Sequence, residues 1–332
     1  MNQPNRTDEN AAYKPLLLEQ VMIEQNNRHV PGCPTRGDSR SGVLRRYRGL
    51  GENLTSKWRY LAVQESFKRT PVRTLSRLVS WRARCFVGSS AVVHMPRWNV
   101  QMLLPANWHG VEKLIFAFRE YYESELGYLE QILSPGMTFV DAGACYGIYS
   151  LAASKIVGPE GRVLAFEPAS RVFSVLERNV ALSHLQNARA HRVALTDKPG
   201  RAWLYHHANV GCDSLGRDHT FTEKKEEIDT EMLDHMLRGD SAGPVHVIKM
   251  DVQGAEELVL RGAASTIKTQ HPVVIFEVYP EGAAALGLSL YGAWDFLDRA
   301  GYEFFVVNGS GALQPETSPP SNRNVIAIYR CR

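Results

Sequence analysis

Between Thr138 and Pro168 the chain has room for one local arrangement. A short apolar run, Thr138 to Val140, ends in Asp141-Ala-Gly-Ala-Cys-Tyr-Gly147. An apolar helical stretch follows, and a second apolar run, Val163 to Phe166, ends in Glu167-Pro168. A strand that must reverse at once into a helix needs residues that tolerate positive φ, and Gly143 and Gly147 supply them. They also carry no Cβ to hold a ligand off the backbone, while the free N–H groups opening the helix, about Tyr146 to Ile156, face it. Asp141 is expected to accept hydrogen bonds from turn amides or to meet a cationic amino group. Glu167, at the end of the second strand, is expected to take both hydroxyls of a ribose. The dinucleotide pattern G-x-G-x-x-G is not met: Asp141 stands in place of its first glycine and the glycines are four apart, which suits a ligand without a pyrophosphate. The pattern points to a site for S-adenosylmethionine; the plain alternative is a structural turn with no ligand.

The 332 residues suffice for one large domain with an appendage or for two small ones. The net charge of +3 hides an asymmetry, because Arg36 to Arg97 holds 14 Lys or Arg against 3 Asp or Glu. The five cysteines, Cys33, Cys85, Cys145, Cys212 and Cys331, are scattered with no C-x-x-C pair, which fits a reducing compartment. The polar start and the lack of any run of about 18 apolar residues lead to the expectation of a soluble, cytoplasmic protein.

Three regions are expected: a largely disordered tail at 1–42, a basic extension of helix and short strands at 43–110, and the main domain at 111–332. Thr70-Pro71 reads as an N-cap with proline at the first helical position. In the helix that follows, Val72, Leu75, Leu78 and Val79 share one face and Arg73, Arg77 and Arg84 another. Such a helix either meets an anionic membrane surface or acidic partner through the segment 70–97, making the protein peripheral at the inner membrane surface, or packs on the main domain with its arginines solvated. Ala91 to Leu104 reads as one or two strands, and Val111 to Leu133 as a helix or helix pair. Strands near 138–142, 162–167, 190–194, 245–250 and 273–278 then alternate with helices near 171–182, 255–267 and 291–299, the pattern of a parallel α/β sheet. Glu303 to Val307 and Asn324 to Tyr329 read as a terminal antiparallel hairpin.

The ordered segments Val140 to Ser150, Ala165 to Pro168, Ala194 to Asp197, Ser214-Leu215, Leu233-Asp234, Ile248 to Glu256 with Leu260 to Ala263, and Pro272 to Val278 together resemble the FkbM family of S-adenosylmethionine-dependent methyltransferases. The resemblance covers about 121–329 and implies a seven-stranded Rossmann-like α/β sheet of order 3-2-1-4-5-7-6 with the last strand antiparallel. It implies cofactor contacts from Asp141, Gly143, Ala144, Tyr146, Gly147, Glu167 and Pro168, and places Asp197 and Ser214 near the adenine. The chain departs from the family pattern at Gln253, where Glu is frequent, and at Cys145, where Asn is frequent.

Methyl transfer from a sulfonium is an in-line displacement, so the protein mainly aligns donor and acceptor. A hydroxyl acceptor gains from losing its proton as it attacks, which calls for a carboxylate or His nearby. Ligands lie at the carboxyl ends of parallel strands, a rule that selects Asp141, Glu167, Asp251 and Glu277. Asp251 is the candidate acceptor-binding residue or general base, with or without a divalent cation between it and the substrate; it could equally cap the helix after Gly254. Lys249 shares its strand face and is expected to form an ion pair. The long segment Lys198 to Gly243 is expected to wall the acceptor site, with His206 or His207 as second base candidates; His219 and His235 lie in it too. No spacing there makes a metal site. Asp251-Val252-Gln253-Gly254 lacks the Pro-Pro-aromatic grip of amino methylases on flipped bases, and the N-terminal arginines lack interleaved aromatics, which argues against nucleic acid. The expected activity is O-methylation of a hydroxyl on a sugar or other small or carrier-attached metabolite; a methyltransferase-like binding protein without turnover is the alternative.

Overall fold

The computed structural model describes residues 61–62, 64–107, 110–207, 211–217, 221–239, 243–308, 311–320 and 322–330. The tail expected to be disordered, 1–42, lies outside the described residues, as do His219 and all of 43–60. The chain divides into two compact units between Arg73 and Thr74. In the first, α1 (Glu65–Arg69) is closed by Thr70, whose amide and Oγ1 both donate to Ser66 O, so the Thr70 side chain serves the end of α1.

The second unit opens with most of α2 (Pro71–Phe86) and an antiparallel hairpin, β1 (Ala91–Met95) and β2 (Val100–Leu104), whose residues alternate between buried and exposed. Two helices, α3 (Val111–Phe118) and α4 (Ser124–Ile132), lead to the sheet. Its strands are β3 (Thr138–Ala142), β4 (Arg162–Phe166), β5 (Ala188–His191), β9 (Val247–Met250), β10 (Val273–Val278), β11 (Tyr302–Val307), β12 (Leu313–Glu316) and β13 (Arg323–Tyr329). Between β5 and β9 come β6 (Ala194–Leu195), β7 (Gly200–His207) and β8 (Phe221–Glu231), which form a separate three-stranded sheet.

The main sheet has eight strands, where the family resemblance implies seven, in the order β12-β11-β13-β10-β9-β3-β4-β5. Counted without β12, that is 3-2-1-4-5-7-6, with β13 antiparallel to both neighbours. The extra strand comes from the loop between β11 and β13, which folds back onto the free edge of β11. The third expected strand ends early, at His191, because Ala194 and Leu195 leave the sheet to pair with β8.

β3 is buried at every position, as a central parallel strand must be, and successive residues serve opposite faces. Phe139, Val163, Val247 and Ile275 join the core layer that holds α4, α5 (Ile148–Val157) and the β1–β2 hairpin. Val140, Leu164, Ile248 and Val274 join the opposite layer. That layer also holds α8 (Glu256–Gly262) and α9 (Ala264–Gln270), the two halves of the helix expected at 255–267, which breaks at Ala263. The remaining α-helices among the described residues are α6 (Ser170–Leu182), α7 (Leu233–Gly239), α10 (Pro280–Ala285) and α11 (Gly292–Arg299). Asn179 of α6 fastens the hairpin, accepting from Leu103 N at 2.6 Å and donating to Leu103 O and Tyr146 O.

The turn glycines answer to the protein's own packing. Gly143 has φ +72°, and a Cβ there would stand 1.9 Å from Asp251 O; at Gly147, φ +87°, it would meet Leu176 at 2.5 Å. Glycine at 143 therefore lets the turn cross the end of β9 in contact with its backbone. Gly143→Ala should cost on the order of 3 kcal/mol, combining a left-handed residue with steric overlap. Gly158→Ala, φ +66° with open space around it, should cost about 1 kcal/mol. Urea unfolding of both variants checks the difference.

Candidate active site

The carboxyl ends of β3, β4 and β9 open into a cleft of about 990 Å³, counted to its open mouth. The turn after β3 forms its floor: Gly143, Ala144, Cys145 and Tyr146 line it, with Glu167 and Pro168 beside them and Ser214, Asp251 and Gln253 across. The separate sheet and the β5–β6 connection cover one side through Leu204, Leu215, Val193, Ala194 and Leu195, and α3 contributes Val111 and Ile115.

Glu167 is fixed by two backbone amides. Cys145 N donates to Oε2 at 3.0 Å and Ala169 N to Oε1 at 2.9 Å, which leaves each oxygen able to accept once more from the cleft. Burial pushes its carboxyl up to about 7, against the pull of those amides. The amides of Gly143 and Ala144 both donate to Phe166 O. The turn amides thus serve Phe166 and Glu167 instead of Asp141.

Asp141 is fully buried behind the turn and is absent from the cleft lining. Ser150 Oγ donates to its Oδ2 at 2.5 Å, and Lys249 Nζ stands 3.6 Å from Oδ1. The β3–β9 register pairs Asp141 with Lys249, so both charges project on one face. Lys249 also stands 3.7 Å from Asp251 Oδ2 and lies over the Tyr149 ring. Its burial works against the charge, yet Asp141, Asp251 and Glu123 outweigh that and hold the ammonium above the ordinary lysine range.

Asp251 is the reactive-looking member of this group, with about a third of its side chain open to the cleft. Gln253 Nε2 donates to Asp251 Oδ1 at 2.7 Å and reaches Glu277 Oε2 at 3.4 Å. An amide at 253 can thus bind two acidic neighbours; a glutamate would add a third carboxylate. Glu256 Oε1 accepts from Val252 N in the loop that precedes α8, and no side chain caps the helix itself, so Asp251 makes no cap there. Glu277 lies behind Gln253, outside the cleft lining, and burial beside Asp251 and Glu256 raises its carboxyl well above the usual range.

The histidines stand farther out. His206 Nδ1 pairs with Asp213 Oδ2 at 2.8 Å, and His207 N donates to Asp213 Oδ1. Asp213 lines the cleft and neither histidine does. His235 of α7 pairs with Glu231, the last residue of β8, and neither lines the cleft. Ser214 Oγ donates to Gln253 O, joining the separate sheet to the β9 loop. Asp197 is outside the lining and runs past Gly262 of α8. Sequence reasoning missed Tyr122, Glu123 and Tyr149, which line the cleft. Tyr149 OH donates to Glu123 Oε2 at 2.5 Å, and burial raises the Glu123 carboxyl. A parallel pair joins Tyr146 OH to Glu112. The signal the sequence offers is the i, i+3 spacing of Tyr146 and Tyr149. Among the described residues no three His, Cys, Asp or Glu side chains group closely enough to hold a metal ion.

Residues 141–304 match the family model described as the methyltransferase FkbM domain. Methyltransferase 1 of Beauveria bassiana (strain ARSEF 2860) is 31% identical over 142 residues, covering 37% of this chain and 57% of that protein. Methyltransferase sdnD of Sordaria araneosa is 29% identical over 154 residues, covering 37% and 59%. The chain thus spans less than two thirds of the length of either relative. A crystal structure of methyltransferase FkbM from Methylobacillus flagellatus KT aligns with 13% identity and TM-score 0.38 over 80% of this chain and 61% of that one, too distant to carry a residue's role.

Two predictions follow from the buried charges. Lys249→Met strands Asp141 and should cost about 3 kcal/mol, while Asp141→Asn combined with Lys249→Met should cost less than Lys249→Met alone. Denaturant titration of the three variants measures this. Glu125, Glu167 and Glu256, all pushed by burial up to about 7, keep a proton in the folded state that they lose earlier when unfolded. Their contribution to stability is therefore full in acid below the ordinary glutamate range and lost as pH rises toward about 7. Glu167→Gln should lessen that decline, measured as unfolding midpoints between pH 5 and 8.

Proposed function

We propose that the chain, whose residues 141–304 match the methyltransferase FkbM domain, is an S-adenosylmethionine-dependent O-methyltransferase acting on a hydroxyl of a sugar or other small or carrier-attached metabolite. The observation that carries the reading is Glu167, a carboxylate pinned by two amides with free acceptor capacity toward the cleft. The donor set fits an adenosyl sulfonium. Glu167 would take the ribose diol, the apolar side chains of Val193, Leu195 and Leu215 would flank the base, and the acidic surroundings suit a cation. When bound, S-adenosylmethionine supplies an electrophilic methyl group activated by the sulfonium charge.

The protein's own part is alignment and proton removal. Asp251 is the accessible carboxylate opposite the turn, oriented by Gln253 on one oxygen and by Lys249 on the other, and it is assigned the acceptor hydroxyl and its proton. His206 and His207 become residues that set Asp213, with no direct reach into the cleft. The cleft lining supports an uncharged acceptor. Its acidic side chains are Glu123, Glu167, Asp213 and Asp251, and its basic one is Lys249, already shared between two carboxylates. Among the described residues, a phosphate or carboxylate next to the reacting hydroxyl would find no spare cation there.

Calorimetry with S-adenosylhomocysteine tests the donor site: Glu167→Ala should weaken binding tenfold or more, on the scale of hydrogen bonds to a charged acceptor. Asp251→Asn should leave that affinity within about twofold while abolishing tritium transfer from labelled donor to metabolites of a cell extract. Unchanged binding by Glu167→Ala would reject the site, and transfer unaffected by Asp251→Asn would reject the base.

A further inference from the structure

Helix α2 is mounted with its apolar stripe outward. The sequence pattern puts Val72, Leu75, Leu78 and Val79 on one face, the natural candidates for burial, yet the fully buried residues of α2 are Thr74, Trp81 and Cys85. Trp81 Nε1 and Cys85 Sγ both donate to Asn107 O, the Trp81 ring lies 5.0 Å from that of Phe116, and Arg77 Nη1 donates to Ala117 O. These contacts hold the helix firmly to the back of α3 and fix which way the rest of it points. Leu75, Val79, Arg82 and Phe86, spaced i, i+4, i+7 and i+11, share the outer face. Val79 is 69% exposed, Phe86 84% and the following Val87 71%. So large an apolar exposure on a fastened helix marks a surface that meets something.

Charge identifies the partner. From Thr74 to Arg97 there is no Asp or Glu, against Arg77, Arg82, Arg84 and Arg97, of which Arg97 is neutralised by Glu130. Arg82 stands within the apolar stripe and is exposed. Two copies of the chain packed through this face would bring Arg82 against its own charge. An apolar stripe with arginine and without carboxylates is instead the composition of helices that lie in the interface of an anionic bilayer.

We propose that the outer face of α2 docks the protein on an anionic lipid surface, with Val79 and Phe86 entering the headgroup boundary and Arg82 meeting lipid phosphates. The helix contacts Phe116 and Ala117 of α3, the helix that contributes Val111 and Ile115 to the cleft lining, and adds no lining residue of its own.

The test is flotation of the full chain with phosphatidylcholine vesicles in which about a third of the lipid is phosphatidylglycerol. The protein should float at low salt, should stay at the bottom with pure phosphatidylcholine, and should detach at about 0.5 M salt. Val79→Asp combined with Phe86→Asp should lower the bound fraction about tenfold with an unchanged unfolding midpoint, because both residues are exposed. No flotation of the parent, equal flotation of parent and variant, or a parent dimer that the variant turns into a monomer would each overturn the proposal.

Discussion

A buried lysine decides how the centre of this sheet is built. Lys249 sits beside Asp141 because β9 and β3 run parallel in a register that pairs them, and it continues to Asp251 two residues along its own strand. One ammonium thus answers two carboxylates, and removing it would leave charge buried without a partner, among the costlier defects a core can carry. The same junction forces Gly143, since the turn after β3 lies against the Asp251 carbonyl. Turn, ion pair and cleft floor are one packed unit, and the cleft chemistry inherits its rigidity.

From that unit the division of labour at the cleft follows. Of the four acids at the strand ends, Asp141 is buried and Glu277 lies outside the cleft lining, while Glu167 and Asp251 line the open space. Glu167 is held by amides and Asp251 by an amide side chain and an ammonium, so two carboxylates of one type acquire different duties from their surroundings. Gln253 gains meaning here as a donor to both Asp251 and Glu277.

Much of this was legible in the sequence where the determinants are local. Asp141 to Gly147 and Glu167 are joined by one turn and one crossover, and strand parity puts Lys249 and Asp251 on one face. What stayed hidden depends on distant packing. Glu123 and Tyr149 meet only because α4 and α5 share a core layer, and nothing within either segment announces the pair. β7 and β8 were read as a long wall without strands because their pairing encloses a loop and a bulge, and its alternation is diluted by charged residues. In α2 the hydrophobic pattern left open whether the face with Val79 meets the main domain or an outside surface; Trp81 and Cys85, which share an acceptor in Asn107, took the inner face. Gly143 was correctly singled out for a tight bend, although the atom it makes room for is a backbone carbonyl.

The most direct test of the account is a crystal structure with S-adenosylhomocysteine. Both ribose hydroxyls should lie within hydrogen-bond distance of the two Glu167 oxygens, with the sulfur directed toward Asp251. Ligand density elsewhere on the molecule, or a ribose that avoids Glu167, would contradict it.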